Sequence, residues 1–238
     1  MIDVVCYYAD LGRPYRPLME RMCASAKKHI DCATVILTPT PAPWMTGVFD
    51  RVAGYTSQSY PTVTRENLCQ QRAEGMTAWG GRCERLTFFV DPDIEFRNTP
   101  AIPDCDVALL WRADRFSMPV NTGFISTKPG QERFWMQYGN TVLNLPPRIH
   151  GWWCDQIGFS ILLGNSHAAG DTLDLHGAKI HLLDTFDNCA SPKKATEKAW
   201  AIHYQGHSKG PEWKPIFKSE VFKDDRLGLE LSHLREVA

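Results

Sequence analysis

The sequence predicts an α/β domain resting on a largely parallel sheet. Two observations carry that expectation. Residues 2–38 run strand-like, helix-like, strand-like, the order of a unit whose parallel strands are joined by a helical crossover. A further apolar run in mid-chain, Leu86 to Val90, has the β-branched and aromatic content of a buried strand and stops at a pair of carboxylates. At 238 residues the chain can bury a full core as one domain or two small lobes.

Composition narrows the function classes. With 43% hydrophobic and 22% charged residues the chain is an ordinary globular one, and a formal net charge of -1 argues against bulk electrostatic capture of nucleic acid. A local basic groove would not show in that sum. Met1-Ile2-Asp3 leads straight into a strand, and no apolar run approaches the length of a membrane span, so neither a signal peptide nor a span is predicted. The eight cysteines are scattered, without paired zinc-site spacing, and several fall in apolar patterns as small buried hydrophobes. A reducing, cytoplasmic setting is expected.

Each element follows from local chemistry. Ile2 to Tyr8 is the first strand, turned by Asp10-Leu-Gly-Arg-Pro14. Leu18, Met22, Ala26 and Ile30 recur at helical spacing, with Met19 and Cys23 beside them. Pro17 suits the first helical turn, where its missing N–H has no partner to lose. Thr34 to Thr38 is a second strand. Pro39, Pro41, Pro43, Gly47 and Gly54 mark residues 39–59 as a loop. Thr64 is placed to cap a helix carrying Cys69, Ala73 and Met76, which Gly80-Gly81 ends. After Leu86 to Val90 come a strand from Val107 to Trp111, the segment Ser117 to Ser126 and a helix from Gln131 to Tyr138. The aromatic stretch Gly151-Trp-Trp-Cys-Asp-Gln156 precedes Ile157 to Leu163, a helix or a continuous buried run. Ile180 to Leu183 is a late strand. Ala199 to His203 is a short one, breaking into a loop with Gly206, His207, Lys209 and Gly210. Beyond Lys214, Leu227, Leu229, Leu231 and Leu234 suggest a closing helix or edge segment.

Proline 92 shapes the carboxylate pair. It cannot donate to a sheet ladder, so the strand ends near Val90, and it pushes Asp91 into extended geometry. In extended backbone, residues i and i+2 point the same way, so Asp91 and Asp93 present their carboxylates on one side. Two oxygen donors at a strand's carboxyl end suit a hard divalent cation, though the pair also fits a solvated acidic turn. Two carboxylates alone would under-coordinate the ion. Mn²⁺ accepts mixed oxygen and nitrogen donors, which makes His203 the candidate third ligand. The alternative for His203 is a buried imidazole satisfied by backbone. Gly206 and Gly210 allow close backbone approach, so Lys209 could reach a phosphate bound by the same ion.

Taken together, the motifs resemble one family. Asp91-Pro-Asp93 is similar to the DxD motif of metal-dependent nucleotide-sugar glycosyltransferases of the GT-A fold. Asn121-Thr-Gly-Phe-Ile resembles the Asn-Ser-Gly-hydrophobic segment of the glycogenin-like family 8 enzymes, and Asp155-Gln156 their Asp-Gln pair. His203-Tyr-Gln-Gly-His-Ser-Lys209 resembles their His-Phe-x-Gly-x-x-Lys-Pro-Trp element, with Trp213 close to the family's tryptophan. The resemblance implies a nucleotide-diphospho-sugar transferase fold, a single Rossmann-like mixed sheet flanked by helices. It would span residues 1–213, with 214–238 packed on it. It implies Mn²⁺ (or Mg²⁺) held by Asp91, Asp93 and His203 on the diphosphate of a UDP-sugar donor, with Lys209 and the Gly206 backbone at the distal phosphate. Tyr8, Ala9 and Asp10 would line the base, and Gly123 and Arg72 would lie against the donor, a surface charge being the alternative for Arg72. Asn121 and Asp155 would reach sugar hydroxyls, with Gln156 near the anomeric carbon. It further implies transfer with retention through an oxocarbenium-like transition state. Front-face return of the acceptor and a covalent intermediate are both open, and Asp155 is the one carboxylate suggested as a nucleophile for the latter.

Two departures bear on family membership and base recognition. Gly210-Pro211-Glu212 intervenes where the family passes directly from lysine to Pro-Trp, and Ala9-Asp-Leu-Gly12 stands where it has Asn-Asp-x-Tyr. A nucleotidyltransferase of similar fold would also use Asp91 and Asp93, but Gly12, Arg13 and Arg16 make a thin phosphate loop. A non-catalytic binding module would rest on Trp152 and Trp153. Tryptophans at 111, 135, 152 and 153 fit a saccharide, a protein side chain or a modified DNA base as acceptor equally well. Arg112, Arg115, Arg133 and Arg148 read as solvated charges or a local basic surface.

Overall fold

Strands buried on both faces need apolar residues at every position, and that is how the centre of this chain reads. A computed structural model describes residues 1–12, 15–112, 118–146, 150, 153–164 and 166–204. Its main sheet has eight strands: β1 (Ile2–Tyr7), β2 (Cys32–Thr38), β3 (Arg51–Gly54), β4 (Thr87–Val90), β6 (Val107–Trp111), β7 (Val120–Thr127), β8 (Thr172–Leu175) and β9 (Ala178–Asp184). Their order is β3-β2-β1-β4-β7-β6-β9-β8. Strands β1 to β4 are parallel, β7 runs against both β4 and β6, and β6 and β9 are parallel again. From β3 to β9 in that order β7 alone is reversed, so the carboxyl ends of β1, β4, β6 and β9 share one rim. Ligands in open α/β sheets bind outside such ends.

The pleat sorts side chains between two cores. Val4, Cys6, Phe88 and Leu110 face a layer containing Met19, Met22, Cys23 and Ala26 of α1 (Arg16–His29). Val5, Tyr7, Phe89 and Leu109 face α2 (Leu68–Gly80), α3 (Glu132–Leu143) and α4 (Cys154–Leu163), with Ala73, Met76, Trp135, Tyr138 and Phe159 between them. Helix α2 passes close to α3 because Gly80 lets the Trp135 ring approach; a Cβ there would lie 2.3 Å from it. Beside the expected sheet stands a smaller one, β10 (Cys189–Ala190), β11 (Ala201–His203) and β5 (Ile94–Phe96), in which β11 pairs antiparallel with β5.

Some boundaries differ from expectation. The predicted loop 39–59 contains a 3-10 turn, Pro43–Gly47, and strand β3, which among the described residues pairs with β2 alone. Thr64 does not begin α2. Its N–H donates to Asn67 Oδ1, and the helix starts at Leu68, with Asn67 at the N-cap position. The β8–β9 hairpin was not anticipated; its turn uses His176 and Gly177, both with positive φ. A one-turn helix, α5 (Thr185–Asn188), is capped by Asp184, whose carboxylate accepts from the Phe186 and Asp187 N–H groups. No helix among the described residues is long and apolar enough to cross a membrane. Gly206, His207, Lys209, Gly210, Trp213 and the segment 214–238 lie outside the described residues, as do Arg115, Arg148 and Trp152.

Candidate metal centre

The sheet's rim gathers three polar residues at the end of β4. Asp91 leaves that strand with its N–H on the Gly123 carbonyl (2.9 Å), and a tight turn through Pro92 returns the chain as β5. Strand β11 pairs with β5 so that His203 stands opposite Ile94, and the Tyr204 N–H donates to the Asp93 carbonyl at 2.9 Å. The pairing brings the imidazole onto the carboxylates. His203 Nε2 is 3.1 Å from Asp91 Oδ2 and 3.2 Å from Asp93 Oδ1. One donor atom from each of the three falls within 4.8 Å of the others. Asp93 and His203 are buried, while Asp91 is partly open.

Gly123 makes this approach possible. A Cβ at that position would sit 2.4 Å from His203 Cε1 and 2.7 Å from Nδ1. Its N–H is held by Asn121 Oδ1 at 3.0 Å, so the buried Asn121 side chain fixes the segment under the imidazole. Electrostatics then favour a cation. Burial alone would depress the His203 pKa, but Asp93 and Asp91 outweigh it and raise the value to about 9. A proton thus bridges the acids where a divalent ion would neutralise them better. The thiols of Cys6 and Cys189 are pushed up by burial and then by the same carboxylates, so they stay protonated. The available donors are two carboxylates and an imidazole, which fits Mn²⁺ or Mg²⁺ better than a thiolate metal.

A third carboxylate, Asp155, is built differently. It lies in the first turn of α4, 1% exposed, after Trp153 at the left-handed φ of 70°. Arg72 from α2 reaches it at 2.5 Å through Nη1 and reaches Asp91 Oδ1 at 2.8 Å through Nη2. Thr122 Oγ1 donates to Asp155 Oδ2, and the Gln156 N–H donates to Oδ1. Burial would lower the Arg72 pKa, but Asp91 and Asp155 raise it above its usual value. Arg72 is therefore an interior cation joining α2, α4 and the metal turn, not a surface charge.

Of the other predicted residues, Gly206 and Lys209 lie outside the described ones, while Tyr8, Ala9, Asp10 and Gln156 are described. Tyr8 and Ala9 follow β1 and are buried; Tyr8 meets Tyr15 and Trp44 edge-on at 6.1 and 6.2 Å. Asp10 is exposed, and its Oδ1 accepts from the Gly12 N–H. Burial and then Asp10 push the Tyr8 phenol up to about 12. Gln156 Oε1 accepts from Arg112 Nη2 at 2.6 Å. Sequence reasoning passed over Thr122 and the role of Arg112. Thr122 sits inside the Asn-Thr-Gly segment that drew attention for its flanks, and Arg112 is a lone charge at the end of an apolar strand, a signal that was there to use.

No protein-family model matches the chain, and no curated protein matches it. Among solved structures, it is similar to one described as the crystal structure of a glycosyltransferase involved in the glycosylation of the major capsid of PBCV-1. The TM-score is 0.53 at 9% identity, over 97% of this chain and 98% of that one. At that identity the likeness speaks for fold. The mixed α/β arrangement expected from the sequence, a central sheet flanked by helices in the GT-A manner, is the fold this chain adopts.

Proposed function

We propose that the chain is a metal-dependent glycosyltransferase that moves a sugar from a UDP-sugar to an acceptor hydroxyl with retention, in the manner of the glycogenin-like family 8 enzymes. The observation that carries the reading is the convergence of Asp91, Asp93 and His203 within 4.8 Å on the ligand-binding rim of this fold. Asp91 Oδ2, Asp93 Oδ1 and His203 Nε2 would hold Mn²⁺ or Mg²⁺. When bound, the ion would neutralise charge developing on the diphosphate leaving group. Binding requires His203 to give up the proton that the two acids now share with it. Arg72 keeps Asp91 Oδ1 occupied, leaving Oδ2 turned toward the imidazole.

Tyr8, Ala9 and Asp10 would line the base, and Asn121 would act by fixing Gly123 beneath His203. Asp155 serves as the counter-ion of Arg72 and not as a nucleophile, because its oxygens already accept from Arg72, Thr122 and the Gln156 N–H. Gly206 and Lys209 remain the proposed contacts to the distal phosphate, and the acceptor is a saccharide, a protein side chain or a modified DNA base. A cytoplasmic setting would keep the eight free cysteines reduced. The test is incubation with Mn²⁺ and individual UDP-sugars. Slow release of UDP, abolished by Asp93→Ala, by His203→Ala and by excess EDTA, is expected. Pyrophosphate released from a nucleoside triphosphate would instead mark a nucleotidyltransferase, and binding with no product a binding module.

A further inference from the structure

We infer that Arg112 is a positioning residue that holds the Gln156 carbonyl on its guanidinium, so that Gln156 turns its N–H donors toward the reacting sugar. The inference rests on the transferase reading and adds a chemical role for one side chain in it. A guanidinium carries donors and no acceptor, so the amide atom 2.6 Å from Arg112 Nη2 must be the oxygen. The usual ambiguity between the two ends of an amide does not arise here. Its nitrogen bonds to no described residue and is left for a ligand.

Arg112 is itself held firmly. It is the first residue after β6, its backbone N–H donates to the Pro119 carbonyl at 2.6 Å, and Nη2 also reaches the carbonyls of Met118 (2.9 Å) and Val120 (2.8 Å). The carboxyl end of β6 lies on the same rim as Asp91. Two guanidiniums therefore grip the first turn of α4: Arg72 takes Asp155, and Arg112 takes its neighbour Gln156. An amide so placed can hydrogen-bond a sugar hydroxyl or ring oxygen and orient the sugar. The charge-assisted bond from Arg112 draws electron density from the oxygen and makes it a poorer nucleophile toward the anomeric carbon.

The test uses the full chain with Mn²⁺ and the UDP-sugar from which it releases UDP fastest. Arg112→Ala should lower kcat by roughly ten- to a hundredfold while leaving UDP affinity and KM nearly unchanged, and Arg112→Lys should recover part of the loss. In a Gln156→Ala background Arg112→Ala should add nothing, because the arginine acts through the amide. Gln156→Glu keeps a partner for Arg112 but has no N–H, so it should be as slow as Gln156→Ala. Additive losses, or a Gln156→Glu variant as fast as wild type, would overturn the inference. A readout free of turnover accompanies these rates. The Gln156 side-chain amide signal in ¹⁵N NMR, assigned by its disappearance in Gln156→Ala, should move in Arg112→Ala without nucleotide. An unmoved signal overturns the inference. Wild-type protein that releases no UDP from any UDP-sugar would count against the transferase reading, and the NMR shift would still decide the orientation of the amide.

Discussion

Two carboxylate sites share the rim of the sheet and are satisfied in opposite ways. At Asp155 a buried charge is met from inside the protein, by Arg72, Thr122 and a backbone N–H. At Asp91 and Asp93, two acids share one imidazole, whose pKa is raised to about 9, and the second guanidinium nitrogen of the same Arg72 reaches Asp91 Oδ1. Burying a charge is costly unless it is paired and hydrogen-bonded. The first site is thus complete as folded, and the second is complete only with a proton or a cation. Arg72 spans both sites, and the one where two acids converge with an imidazole reads as the place for a ligand.

The comparison is broken most severely by removing the arginine that spans both sites. Arg72→Met should destabilise the fold by about 3–5 kcal/mol, because it strands Asp155 as an unpaired buried charge; denaturant unfolding measures it, and a change under about 1 kcal/mol would mean that Asp155 finds solvent. Next in size, Gly123→Ala should push the imidazole off its carboxylates. Mn²⁺ affinity by calorimetry should fall about ten- to a hundredfold with unfolding little changed, whereas unchanged affinity would separate Gly123 from the metal centre.

The third prediction concerns pH. His203 is raised in the folded state, so its stabilising pairing in metal-free protein is fully present below its unfolded value of about 6.5 and is lost as pH rises through about 9. Mn²⁺ affinity should climb over the same window, since the ion displaces that proton, and both trends should vanish in His203→Ala. Smallest is Thr122→Val, which removes one hydroxyl between Arg72 and Asp155 and should cost about 1 kcal/mol without altering Mn²⁺ affinity.

Strands β1, β2, β4 and β6 were legible in the sequence because burial on both faces demands uninterrupted apolar runs, as in Thr87-Phe-Phe-Val90. Helix α1 was legible through its spacing. Strand β8 was not, since its four residues are exposed or half-buried and only its partner β9 gives it a register. Strand β5, three residues long, was hidden behind Pro92. At the candidate site, the proline-separated acids suggested a cation from local geometry alone, while His203 was reached through its loop and a family resemblance. The pairing of Arg72 with Asp155, 83 positions away, left no local trace, because each sits on a helix whose pattern reports only its own buried face. Gly123 was singled out for the donor. Its tight approach to the His203 ring depends on β7 and the small sheet meeting, which no single stretch of sequence encodes.

The most direct measurement is pulsed electron paramagnetic resonance of Mn²⁺ added to the full chain with UDP. Nitrogen coupling from one imidazole, absent in His203→Ala and accompanied by weaker binding in Asp93→Ala, is the result expected here. A spectrum without nitrogen coupling, or one that persists in His203→Ala, would place the ion elsewhere.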